Sequence, residues 1–117
     1  MKEKMGDLQR LQHIGKCIAD LEEILKEVDA DSFYRNIEKK YAVERVMEII
    51  GEAINKTSKE TLDKSNQSIP WRDVVDFRNL VTHEYFRVDY TMVYKLATEE
   101  IPKLKTAIQF LIAELQK

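Results

Sequence analysis

From Leu8 onward the apolar residues Leu11, Ile14, Ile18, Leu21, Leu25 and Val28 recur at steps of three and four. That spacing predicts a helix with one apolar stripe, a seam for a partner helix. A break follows at Asp29-Ala30-Asp31-Ser32, where Asp31 or Ser32 is the expected N-cap of a second helix running to about Lys56. In that helix Tyr41, Val43, Val46, Met47, Ile49, Ile50, Ala53 and Ile54 cover more than one stripe, which predicts a central or interfacial position. The stretch from Lys56 to Ile69 is polar and long for a connection, and Thr57 with Glu60 is suited to capping a short helical turn inside it. Pro70 fits the first position of a third helix, PWRDVVDFRNLVTHEY. Asp89 is the expected cap of a fourth, which Pro102 should kink or split. Beyond it Ile101, Leu104, Ile108, Leu111 and Leu115 return to the three-four spacing. The pattern is all-α, four to five antiparallel helices in a bundle.

Composition agrees. With three Gly and two Pro in 117 residues, turn formers are scarce, while 34% of residues are charged and 44% apolar. The length fits a single domain over 1–117, large enough to bury roughly two-thirds of its unfolded surface. A net charge of −2 provides no global positive field, so any RNA contact is expected to be local. A single cysteine, Cys17, excludes an intramolecular disulfide. The N-terminal MKEKMGDLQR lacks the apolar run of a signal peptide, and nowhere do about 18 apolar residues run together. The expectation is a cytoplasmic protein with no membrane association.

One segment does not reduce to amphipathic patterning. In FRNLVTHEYF, residues 77–86, the apolar run is interrupted by Arg78, Asn79, His83 and Tyr85. Asn79 and His83 share a face of a regular helix, as do Arg78 and Tyr85, but Arg78 and His83 stand about 140° apart. For those two to converge, either the helix unwinds near His83 or a second copy of the chain supplies the complementary half across a twofold axis. A purely structural account is also open: cations in the last turns of a helix interact favourably with its C-terminal dipole, and Tyr85 can simply pack. The chemistry of the set suits metal-independent phosphodiester cleavage. Imidazole exchanges protons near neutrality, guanidinium matches phosphate oxygens, and Asn79 can orient either. RNA carries its own nucleophile in the 2′-OH, so the protein need supply only proton transfer and positive charge. The sequence holds no H-E-x-x-H pattern and no Cys/His set for a closed metal site, and no cofactor is expected.

Arg78-x4-His83-x-Tyr85 resembles the motif of the HepT toxins, a branch of the HEPN superfamily of helical RNases. YAVERVMEIIGEA resembles that family's second-helix pattern, IPWRDVVDFRNLVTHEY its third, and VDYTMVYKLATEEIPKL its C-terminal region, so the resemblance spans nearly the whole chain. It implies a HEPN-like bundle that forms a homodimer with two motif helices lining one cleft. His83 would transfer the proton, Arg78 would stabilise the phosphate and Asn79 would position one of them or the substrate. It further implies a toxin–antitoxin pair, type II-like or type VII, with a minimal nucleotidyltransferase (MNT) antitoxin that attaches AMP to Tyr85. Each added nucleotide would bring negative charge and bulk to the cleft mouth and repel RNA. The rival reading is a non-catalytic helical subunit in which the same residues bind a nucleotide or the nucleotidyltransferase partner.

Other residues carry weaker signals. Glu52, on a mostly apolar helix, is either a supporting partner for Arg78 or His83 or a solvated flank. Gly51 is expected to permit close helix approach. His13 and Cys17, four apart, are too few for a zinc site, and Cys17 reads as a small core residue. Trp71 is expected to anchor the third helix to the core, with base stacking as its alternative role. Arg72 and Arg87 flank the motif, while Lys39-Lys40 and Glu99-Glu100 read as solvated faces.

Overall fold

A computed structural model of the chain describes residues 2–65, 69, 71–76 and 88–117, and every regular element among them is helical. The elements are α1 (Lys2–Leu25), α2 (Ala30–Arg35), α3 (Ile37–Lys56), α4 (Lys59–Asp63), α5 over residues 71–76, α6 (Tyr90–Lys95) and α7 (Ile101–Leu115), with a π-helical turn, Leu96–Glu100, joining the last two.

The α1 stripe is buried as its spacing predicts: Leu11, Ile14, Ile18 and Leu21 are within 2% of full burial. The helix stops at Leu25, short of Val28, because Glu27 adopts a left-handed backbone with φ 59° and turns the chain toward α2.

The second predicted helix is in fact two. Asp29, not Asp31 or Ser32, caps α2, its Oδ1 accepting from the Ser32 N–H at 2.9 Å. Asn36 then interrupts the run in extended backbone. Its N–H donates to the Phe33 carbonyl, closing α2, and its Oδ1 accepts from Lys39 N–H at 3.0 Å, opening α3. A short amide side chain that bonds nearby backbone competes with the helical ladder, which the apolar periodicity alone does not register. The six-residue α2 is held by Phe33, fully buried and tilted against Tyr94 at 5.2 Å between ring centroids.

Val43, Met47, Ile50 and Ile54 form the buried stripe of α3, with Gly51 buried beside them, while Val46, Ile49 and Ala53 make the half-buried flank that broadened the pattern. Tyr41 belongs to neither and stands 60% exposed. Thr57 ends α3 rather than starting α4: its N–H and hydroxyl both donate to the Ala53 carbonyl. Ser58 is the cap of α4, its Oγ accepting from the Thr61 N–H.

Asp89 caps α6 as expected, accepting from Thr91 N–H at 3.0 Å. Pro102 does divide the C-terminal helical run. It has no N–H, and its ring would crowd the carbonyl of residue 98. The chain widens beforehand into the π turn, where Ile101 N–H reaches back to the Leu96 carbonyl. The Thr98 hydroxyl donates to the Tyr94 carbonyl at 2.8 Å within the same distortion. Beyond Pro102, Leu104, Ala107, Ile108 and Leu111 enter the core.

Cross-helix bonds give the direction of packing. The Lys39 ammonium donates to the Ile24 carbonyl and the Ser58 hydroxyl to Asp7, so α3 runs antiparallel to α1. Lys105 pairs with Glu22 at 2.7 Å, and Ile108 lies beside Gly15, so α7 is antiparallel to α1 as well. Helix α1 therefore sits between α3 and α7, and α6 closes over α2 and α3. Two of the residues read as solvated are not: Lys39 holds the Ile24 carbonyl, and the Lys40 ammonium lies 5.0 Å from the centre of the Tyr90 ring. Glu100 pairs with Lys103 at 3.0 Å.

Candidate functional site

The approach to the polar motif is fixed from both sides. Upstream, Val74 and Val75 of α5 are buried in the core and Trp71 packs half-buried against it, so Trp71 is an anchor as expected. Arg72 extends into solvent with a loose 3.7 Å contact to Asp76. Downstream, Val88 and Tyr90 are packed against the same core. The Tyr90 hydroxyl donates to Glu44 Oε1 of α3 at 2.5 Å. Burial, and then that carboxylate, push the phenol well above its ordinary pKa of 10, so it stays protonated. Val75 and Val88 are thus core-packed residues that bracket the motif in sequence. Pro70, Arg78, Asn79, His83, Tyr85 and Arg87 lie outside the described residues.

Glu52 is half-buried and, with Arg10, His13, Ile49 and Lys56, lines a cleft of about 210 Å³ between α1 and α3. It is thus part of the helix packing rather than a fully solvated flank. His13 Nε2 lies 3.8 Å from Cys17 Sγ. Burial, and then the nearby Asp20 charge, raise the thiol above its usual 9.0, which opposes the thiolate a metal would require. Among the described residues no third ligand joins them.

A second concavity, about 310 Å³, opens where α3, α4 and α5 meet. Its walls include Trp71 and Arg72, so it adjoins the helical stretch that leads into the motif.

The structure also contains a buried carboxylate that the patterning does not mark. Asp7 is 1% exposed. Its Oδ2 accepts from the Ser58 and Thr61 hydroxyls, each at 2.6 Å, and its Oδ1 from Ser58 N–H at 3.2 Å and Arg10 at 3.0 Å. Burial by itself raises this carboxyl's pKa. The hydroxyl, amide and guanidinium donors outweigh it and hold the group below the ordinary 3.8. In sequence Asp7 and Arg10 are an ordinary pair three apart; the donors that decide its role are 51 and 54 residues away.

An all-helical chain with this order of elements admits several families, and the decisive observation is a comparison with family models: residues 14–111 match the family described as ribonuclease HepT-like. The chain belongs to that HepT-like family. The match takes in all of α3 to α6 and the whole Arg78–Tyr85 segment. Among its relatives, a provisionally named RNase of Methanocaldococcus jannaschii is 35% identical over 99 residues, covering 85% of this chain and 90% of the other. A second provisionally named RNase of that organism is 36% identical over 107 residues, 92% of this chain and 91% of the other. A Thermococcus cleftensis protein named "Probable ribonuclease HepT" is 35% identical over 95 residues, 81% of this chain and 86% of its own. No solved structure matches the HepT-like chain.

Proposed function

We propose that this protein is a metal-independent endoribonuclease toxin that acts as a homodimer and is silenced by an MNT-type nucleotidyltransferase. The observation that carries the reading is the family match, 14–111, which encloses Arg78-x4-His83-x-Tyr85 without a departure from the motif. The physical argument is the chemistry of the set. Attack by the 2′-oxygen forms a new O–P bond as the bond to the 5′-oxygen breaks, leaving a 2′,3′-cyclic phosphate and a 5′-hydroxyl. One proton must be taken from the 2′-OH and one returned to the leaving oxygen, and two His83 copies at a shared cleft supply both roles. Arg78 carries the charge that accumulates on the phosphate oxygens, and Asn79 orients the imidazole or the substrate. AMP attached to Tyr85 adds phosphate charge beside the cleft and excludes RNA. This assignment makes the chain a cytoplasmic partner of an antitoxin; no described helix is long and apolar enough to cross a membrane.

His83→Ala and Arg78→Ala are expected to abolish cleavage of total RNA, by at least about a hundredfold for the proton-transfer residue, with helix content and melting temperature retained. Wild-type cleavage should persist in EDTA and depend on pH as a bell-shaped curve. If His83→Ala cuts RNA at the wild-type rate, the enzyme reading fails and the motif belongs to a binding module. Incubation with the nucleotidyltransferase and ATP should add AMP mass to wild-type chain and none to Tyr85→Phe.

A further inference from the structure

The concavity between α3, α4 and α5 has the composition of a nucleobase site. Ile54, Leu62, Val75 and Trp71 provide an apolar wall that includes the chain's only tryptophan. Trp71 is half-buried and lines the concavity. Around that wall Lys59 and Arg72 bring two cations, while Asn55 and Asp63 bring amide and carboxylate groups able to meet the edge of a base. Arg72 is 85% exposed, and its 3.7 Å contact with Asp76 is loose enough to yield to a phosphate. The volume, about 310 Å³, is at the small end of ligand sites, room for one base with its sugar. Aromatic stacking beside phosphate-seeking cations is how single strands are held without strict sequence readout.

We infer that this pocket binds one nucleotide of a single-stranded RNA, its base stacked on Trp71 and its backbone phosphate met by Lys59 and Arg72. The inference rests on the ribonuclease reading and deepens it by placing a substrate subsite one helical stretch ahead of the motif, since Arg78 follows Trp71 by seven residues. Such a subsite sets where along a strand the scissile bond falls.

The test separates binding from chemistry by using 2′-O-methyl oligoribonucleotides, which block the attacking oxygen and remain uncut. Because Trp71 is the sole tryptophan, its emission reports stacking directly. Saturable quenching by the oligonucleotide, but none by ribose 5-phosphate, is the expected result. Trp71→Ala should weaken binding, read by anisotropy of a labelled oligonucleotide, about ten- to a hundredfold, the loss of one stacked base. Trp71→Phe should restore most of it. Should Trp71→Ala fail to fold, the rim variant Lys59→Ala/Arg72→Ala decides, since both groups are at the surface. Its log-log salt dependence should fall by about 0.7, the one single-strand phosphate that both groups meet. Oligonucleotide binding with unchanged Trp71 emission and an unchanged salt slope in the rim variant would overturn the inference, and so would no binding at all. Quenching without any cleavage of ordinary RNA would sink the ribonuclease reading while leaving the pocket intact. Cleavage that is indifferent to Trp71→Ala and to the rim variant would do the reverse.

Discussion

Asp7 is the residue on which the join between α1 and the α3–α4 corner depends. Its carboxylate accepts four hydrogen bonds while 1% exposed, and one of its donors is the backbone N–H of the residue that caps α4. Removing the charge leaves those donors facing a weaker acceptor or none, so Asp7→Asn is expected to cost about 2–4 kcal/mol, measured by urea unfolding at neutral pH. The sign of the pH dependence comes from the depressed folded-state pKa. The contribution is fully present above the unfolded value near 3.8 and is lost as pH falls through the lower folded value. Between about pH 5 and 2.5 the melting temperature of the wild type should therefore fall more steeply than that of Asp7→Asn; parallel slopes would refute this role. Exposed pairs such as Arg35–Asp31 and Lys16–Asp20 contribute little by comparison.

At the scale of elements, capping decided what periodicity left open. The three-four spacing located α1, α3 and α7 because their stripes are long and continuous. It did not locate the α2–α3 boundary, where one asparagine outweighs helical propensity on both sides. It anticipated the break at Pro102 because a missing N–H is a local fact of the sequence, though the π turn that accommodates it depends on the helix continuing on either side. The α1–α2 turn is strained: Glu27 holds φ 59°, a conformation that costs an L side chain about 1 kcal/mol or more and glycine nothing. Glu27→Gly is accordingly expected to stabilise the fold by about 0.5–1 kcal/mol, seen as a higher urea midpoint with an unchanged slope.

In the whole molecule α1 lies between two antiparallel neighbours, and Leu104, Ile108 and Leu111 of α7 reach the core from the far side of it. Leu104 is fully buried, so Leu104→Ala should cost about 2–5 kcal/mol, checked by the same unfolding measurement. Val74 and Val75 of α5 and, later in the chain, Val88 and Tyr90 pack against this same core.

By itself the sequence determined the all-helical class, the long buried stripes, the Asp89 cap and the disruption at Pro102, and its Arg78-x4-His83-x-Tyr85 spacing is the basis of the chemistry proposed above. Each of these depends on residues within a few turns of one another. The tertiary structure decided that Asp7 is a buried acceptor, that Lys39 and Lys40 are engaged, that Glu44 meets Tyr90, and that Trp71 shares a concavity with Lys59. Those facts join residues separated by long stretches of chain, and their energies come from excluding water between surfaces that only the folded bundle brings together.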